Sequence, residues 1–183
     1  MNEKEKMLAG ELYNSLDVEL FQSRNKAKEL CHKYNSLAPD KTKEKALIIK
    51  ELLYKTGEKF QIEPNFFCDY GYNIEIGENF YSNHNLVILD PAKVKFGDNV
   101  FIGPNCGFYT AEHPIDAIER NKGLEYAKPI NVGDNVWFGG NVTVLSGVSI
   151  GSNVVIGAGS VVVKDVPDNV VVVGNPCRVI KQI

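Results

Sequence analysis

The sequence predicts a mainly β protein, a parallel β-helix of hexapeptide repeats preceded by a helical segment and interrupted by one inserted loop. Three observations carry this. From Val132 an aliphatic or aromatic residue, usually followed by Gly, recurs every six residues: VGDNVW, FGGNVT, VLSGVS, IGSNVV, IGAGSV, VVKDVP. The first sixty or so residues lack that rhythm and read as helix. The rhythm also breaks at YTAEHPI, Tyr109–Ile115, and returns only after Pro129.

In chain order, Asp17 is placed to cap a helix whose apolar positions include Leu20, Ala27, Leu30 and Tyr34. Asp40 is placed to cap a second helix carrying Leu47, Ile48, Leu52 and Leu53, with Gly57 as its end. Both are amphipathic and need a surface to lie on. From Gly71 the character shifts to Val, Ile, Gly, Asp and Asn, with hexad-like fragments IGENFY, FGDNVF and IGPNCG.

The period has a physical meaning. A helix would space apolar residues by about 3.6, whereas a strict six with Gly, Asp or Asn corners means short strands and tight turns stacked coil on coil. The fifth residue of one hexad and the first of the next are two apart, so both point inward and the residue between points out. No hexad buries its own face, so the stack is cooperative. Alternation between Val136 and Phe138 puts Trp137, the only tryptophan, on the outer face, where it wants a ligand or a neighbouring subunit. The segment AEHPIDAIERNKGLEYAKP must leave a corner as an excursion, since a longer strand would break the stacking; long loops in compact repeats are commonly functional.

The 183 residues and net charge of −3 give no global basic field, which speaks against nucleic acid or an anionic membrane as partner. The charged start MNEKEKM and the absence of a long apolar run read as a cytoplasmic protein. Cys31, Cys68, Cys106 and Cys177 form no CxxC or zinc pattern and read as reduced, mostly buried thiols.

The strings LAGELYNSLDVEL with Arg24, CDYGYNIEIGENFYSNHNLVILD, the EHPI loop, GLEYAKPINVGDNVWFGG, IGAGSVVVKD and GNPCRVI resemble the maltose and galactoside O-acetyltransferases, a branch of the hexapeptide-repeat acyltransferases. The resemblance covers nearly the whole chain. It implies a left-handed β-helix of triangular section, a homotrimer with sites shared between neighbours, and acetyl-CoA as co-substrate with no metal. It divides the chain into a helical segment over 1–60 and a β-helix acetyltransferase domain over 61–183, with the inserted loop at about 111–129 and a C-terminal tail.

Residue by residue, His113 matches the family's catalytic histidine. A thioester needs no enzyme nucleophile, but a sugar hydroxyl needs a general base, which typically contributes about 10²–10⁴-fold. Asn83 matches an asparagine lining the acceptor and reaction site. Asp69, Glu125 and Trp137 match acceptor-side positions, and Gly140, Ala158, Lys164 and Arg178 match the coenzyme path, the last two as phosphate partners. His84 has no matched role and reads as a surface histidine.

The chain also departs from the galactoside pattern. That pattern has serine in place of Gly140, threonine in place of Val163 and arginine in place of Lys181. On the acceptor side it has serine for Asp69, methionine for Glu125 and aspartate for Pro91, which puts this chain nearer the maltose-type branch. The competing functions are an antibiotic acetyltransferase, a non-catalytic β-helix scaffold, and a zinc-dependent β-helix anhydrase. The last needs three histidine ligands, and His32 lies in the helical segment away from His84 and His113.

Overall fold

A computed structural model describes residues 1–183. The helical segment holds three helices: α1 (Glu3–Ala9), α2 (Val18–Asn35) and α3 (Thr42–Leu52), with a short strand β1 (Tyr13–Asn14) between the first two. Helix α1, which the apolar pattern does not signal, is set by its ends. Asn2 and Glu5 form a capping box, and Gly10 closes it in the left-handed conformation. Asp17 caps α2 as expected, accepting from the amides of Glu19 and Leu20.

The second helix departs from expectation. Asp40 does not cap α3; Lys41 holds that place and makes no side-chain cap bond. Leu47 faces solvent, while Ile48, Ile49 and Leu52 are buried. The helix stops at Leu52, and Gly57 instead begins a glycine column.

The β-helix then winds three strands per coil, one on each of three sheets. The first coil is β2 (Phe60–Ile62), β3 (Phe67–Cys68) and β4 (Ile74–Glu75). The second is β5 (Phe80–Ser82), β6 (Val87–Leu89) and β7 (Val94–Phe96). The third opens with β8 (Phe101–Ile102) and β9 (Gly107–Tyr109), then leaves the stack through β10 (Ala111–Glu112), α4 (Ala117–Arg120) and β11 (Leu124–Ala127) before β12 (Ile130–Val132) completes it. The expected loop is therefore a hairpin with one helical turn, β11 pairing antiparallel with both β10 and β1.

Coil four is β13 (Val136–Phe138), β14 (Thr143–Val144) and β15 (Ser149–Ile150). Strands β16 (Val154–Ile156), β17 (Val161–Val162) and β18 (Val170–Val173) continue it, and β19 (Arg178–Gln182) turns back antiparallel on β18.

All strand pairs between coils are parallel, and the first face reads β2-β5-β8-β13-β16-β18 in order. Inward positions form one core, in which Phe80, Phe96, Phe108 and Phe138 stack edge to face with centroids 5.3, 4.9 and 5.2 Å apart. The corners explain the hexad's Gly and Asn. Asn79, Asn99, Asn135, Asn153 and Asn169 all have φ between 53° and 60°, a region asparagine tolerates, and each of the first four donates its side-chain amide to the next coil's asparagine at 2.9–3.1 Å. Beside them a Cβ on Gly97 would come within 2.8 Å of the Gly133 backbone, so coils approach too closely for any other residue.

Both ends of the stack are covered. On the first coil, the Asn35 side chain accepts from the Asn65 and Phe66 amides and donates to Phe66 O, and the Tyr34 hydroxyl donates to Ile62 O. At the other end, β19 pairs with the exposed edge of β18.

Candidate active site

Three groups of side chains hold the residues that the sequence singles out. The first surrounds His113, directly after β10 where the chain leaves the stack. Its ring is half-exposed, with Nδ1 3.3 Å from Leu124 O and Nε2 3.8 Å from Glu125 Oε1. A carbonyl only accepts, so Nδ1 carries a hydrogen, and in the neutral ring the lone pair is on Nε2. Glu112, the preceding residue, is braced by the Tyr126 and Ser146 hydroxyls and by Lys128 at 3.5 Å. Burial would raise its carboxyl, but those bonds prevail and hold it below the ordinary range.

Glu125 is itself fixed from the helical segment. The fully buried Tyr13 donates its hydroxyl to Glu125 Oε2 at 2.7 Å, and the two residues face each other across the β1–β11 pair. Asp69 belongs to the same group. Burial pushes its carboxyl up, Arg24 pulls it back and Glu125 adds to the rise. Arg24 is anchored by Tyr70 at 2.7 Å and the Ser15 carbonyl at 2.6 Å. Beneath Asp69, the wholly buried Asp90 accepts from the amides of Asp69, Tyr70 and Gly71 at 2.8–3.0 Å and so sets that turn.

The second group lies on the outer surface of the first face. Tyr81, Phe101 and Trp137 align coil over coil, with Phe101 48% and Trp137 57% exposed, as alternation requires. They line an open groove of about 490 Å³ together with Asn83 and Gly103. No hydrogen bond or ion pair within the chain joins this group to His113.

The third group is at the C-terminal end, where Lys164 and Arg178 share a cleft of about 310 Å³ with Asp165, Cys177 and Val179. Gly140 and Ala158 stand at a stacked corner. The Gly159 amide donates to Gly140 O at 2.9 Å, and a Cβ on neighbouring Gly139 would strike Ala158 N at 2.5 Å. The two cations of that cleft suit a ligand that carries phosphate.

Sequence reasoning missed Tyr13 and Asp90, while His84, read as a surface histidine, is indeed exposed. Tyr13 sits in a polar string with no periodic signal, and Asp90 looks like any corner acid. His84 holds Asn83 through a contact between adjacent residues that no pattern announces. No group of three His, Cys, Asp or Glu side chains is placed to hold a metal ion.

A maltose acetyltransferase hexapeptide capping motif matches residues 6–57, and a bacterial transferase hexapeptide family of six repeats matches residues 129–164. Among solved structures, the chain superposes on a maltose O-acetyltransferase from Clostridium difficile 630 with TM-score 0.99 and 50% identity, covering 100% of this chain and 98% of that one. A galactoside acetyltransferase in complex with coenzyme A matches at TM-score 0.96 and 43% identity, over 100% and 92%. A hexapeptide-repeat acetyltransferase from Vibrio cholerae, complexed with acetyl coenzyme A, matches at 0.91 and 39%, over 100% and 98%. Fold and repeat thus define a hexapeptide-repeat transferase. The chain belongs to the maltose and galactoside O-acetyltransferase family and is an acetyltransferase of that type.

Proposed function

We propose that the protein transfers the acetyl group of acetyl-CoA to a hydroxyl of a sugar of the maltose, glucoside or galactoside type, in the cytoplasm and as a homotrimer. The observation that carries this reading is the His113 ring, with Nδ1 committed to Leu124 O and Nε2 open beside Glu125. In this reading Nε2 accepts the proton of the sugar hydroxyl as that oxygen attacks the acetyl carbonyl. The Glu125 carboxylate then faces the imidazolium so formed, a positioning role beside the acceptor contact expected from sequence. Asp69 and Trp137 serve the sugar, as an acceptor of hydroxyl hydrogen bonds and an apolar platform.

Asn83 supplies a donor for the negative charge developing on the carbonyl oxygen. Lys164 and Arg178 hold the phosphate end of the coenzyme, and the Gly140 and Ala158 corner leaves room for its arm. In this reading the Asn83 group of one subunit completes the site with the His113 group of a neighbour. The exposed Phe101 and Trp137 give an apolar surface for that contact.

The test is thiol release from acetyl-CoA across glucosides, galactosides, maltose and chloramphenicol, with His113→Ala alongside. Sugar-dependent release, reduced about 10²–10⁴-fold in the variant, is the expected result. Release with chloramphenicol alone, or wild-type turnover by His113→Ala, overturns it.

A further inference from the structure

Asn83 follows β5 at a corner, where its backbone amide donates to Ile102 O at 2.8 Å and fixes its place in the stack. Its side chain is held as well. The His84 backbone amide donates to Asn83 Oδ1 at 2.8 Å, and His84 Nδ1 lies 2.9 Å from the same oxygen. A backbone N–H can only donate, so the atom it meets must be the carbonyl oxygen of the asparagine, and the amide cannot be turned round. That oxygen can only accept, so His84 carries its hydrogen on Nδ1. On the far side of the ring, Nε2 is 3.9 Å from Glu63 Oε2. The Asn83 NH₂ group makes no hydrogen bond within the protein, and the residue borders the groove of Tyr81, Phe101 and Trp137.

We infer that His84 is a positioning residue for the transfer reaction. It engages the Asn83 oxygen so that the NH₂ faces the groove as a ready donor. A freely turning asparagine would spend part of its time presenting its own oxygen to the charge it should stabilise, and would have to reorganise during the reaction. Two donors converging on Oδ1 remove that freedom, which is the preorganisation that makes an oxyanion donor effective. This inference rests on the role given to Asn83 above.

The experiment uses the full-length protein, the sugar with the highest rate in the panel, and a four-way comparison of wild type, Asn83→Ala, His84→Phe and the double variant. His84→Asn tests rescue, because its amide can donate from nearly the place of Nδ1. Melting temperature and sedimentation establish that each variant folds and assembles; the His84 side chain is 54% exposed, so both are expected to match wild type. His84→Phe is expected to lower kcat about tenfold, the worth of one hydrogen bond, with KM for acetyl-CoA unchanged. His84→Asn should recover most of that loss, and adding His84→Phe to Asn83→Ala should cost nothing more.

Full kcat in His84→Phe beside a crippled Asn83→Ala would overturn the role of His84 and leave that of Asn83 standing. Additive losses in the double variant would overturn it too, by showing that His84 acts independently of Asn83. Full kcat in Asn83→Ala would instead remove the reading on which the inference rests. If His84→Phe fails to fold, His84→Ala takes its place in the same comparison.

Discussion

The Tyr13 hydroxyl meets Glu125 Oε2 at 2.7 Å, joining residues 112 positions apart and tying the helical segment to the hairpin that carries His113. Tyr13 is wholly buried, and both burial and the Glu125 carboxylate push its own ionisation far up, so the hydroxyl remains a donor throughout the working range. Glu125 presents its other oxygen to His113. Tyr13→Phe keeps the ring and deletes that donor. We expect a several-fold fall in kcat and a loss of about 1 kcal/mol in urea unfolding. Unchanged kcat with only the stability loss would mean that the bond serves the fold alone.

The asparagine column allows backbone strain to be separated from hydrogen bonding. Asn135 has φ 56°, accepts from Asn99 at 3.0 Å and donates to Asn153 at 3.1 Å. Asn135→Gly loses both bonds but keeps the conformation at no steric cost; Asn135→Ala loses both and pays for the left-handed backbone as well. The alanine variant should be less stable than the glycine variant by about 1 kcal/mol in denaturant melts. Equal stability would show that the corner relaxes.

Ser82 occupies an inward position of β5, is wholly buried, and its hydroxyl has no hydrogen-bond partner. The structure offers no reason for a polar group there. Ser82→Ala should therefore stabilise the protein, by about 1 kcal/mol, through removal of an unsatisfied hydroxyl. Destabilisation would point to a buried water that the hydroxyl binds.

Asp90 makes stability depend on pH. Burial pushes its carboxyl up to about 7, outweighing the amides of Tyr70, Gly71 and the rest of the turn it caps. A carboxyl raised on folding binds more protons in the native state, so its contribution is full below about 4 and is lost as pH rises towards 7. Asp90→Asn cannot ionise, and its NH₂ cannot accept, so it lacks an acceptor for one backbone amide. The stability difference between wild type and variant should therefore shrink as melts are taken from pH 4 to pH 7. A constant difference would mean that Asp90 does not titrate in that window.

What was legible in the sequence is what a period can carry. Six-residue spacing from Val132 reports which side chains point inward, and from it the outward Trp137 follows directly. Earlier coils were legible only in fragments because they are longer. Asn79 and Asn99 are 20 residues apart, whereas Asn135 and Asn153 are 18 apart. The extra residues lie at the corner of Asp69 and Asp90, where the Asp90 carboxyl accepts from the backbone amides of the widened turn. Between Asn99 and Asn135 the interval is 36, two regular coils, so the hairpin bearing His113 occupies one coil's worth of chain and the column closes over it. A period cannot tell which side chains then converge. Tyr13 on Glu125, and the Cys31 and Cys68 sulfurs at 3.9 Å, are products of how the helical segment lies on the stack. Asp40 and Leu47 misled for a related reason: local pattern placed a cap and an apolar face, and packing of α3 chose a neighbouring register.

The covered ends of the coil stack carry a further consequence. A parallel solenoid is a template for its own extension, since the last coil offers the next the same row of unpaired amides and carbonyls that it used itself. Left open, two such ends could join head to tail and run on into a filament. Here Tyr34 and Asn35 occupy backbone groups at one end, and a strand running the wrong way for further parallel growth occupies an edge at the other. Polymer growth has been given a stop at each terminus. The helical segment that braces Glu125 through Tyr13 thus also closes one end of the stack.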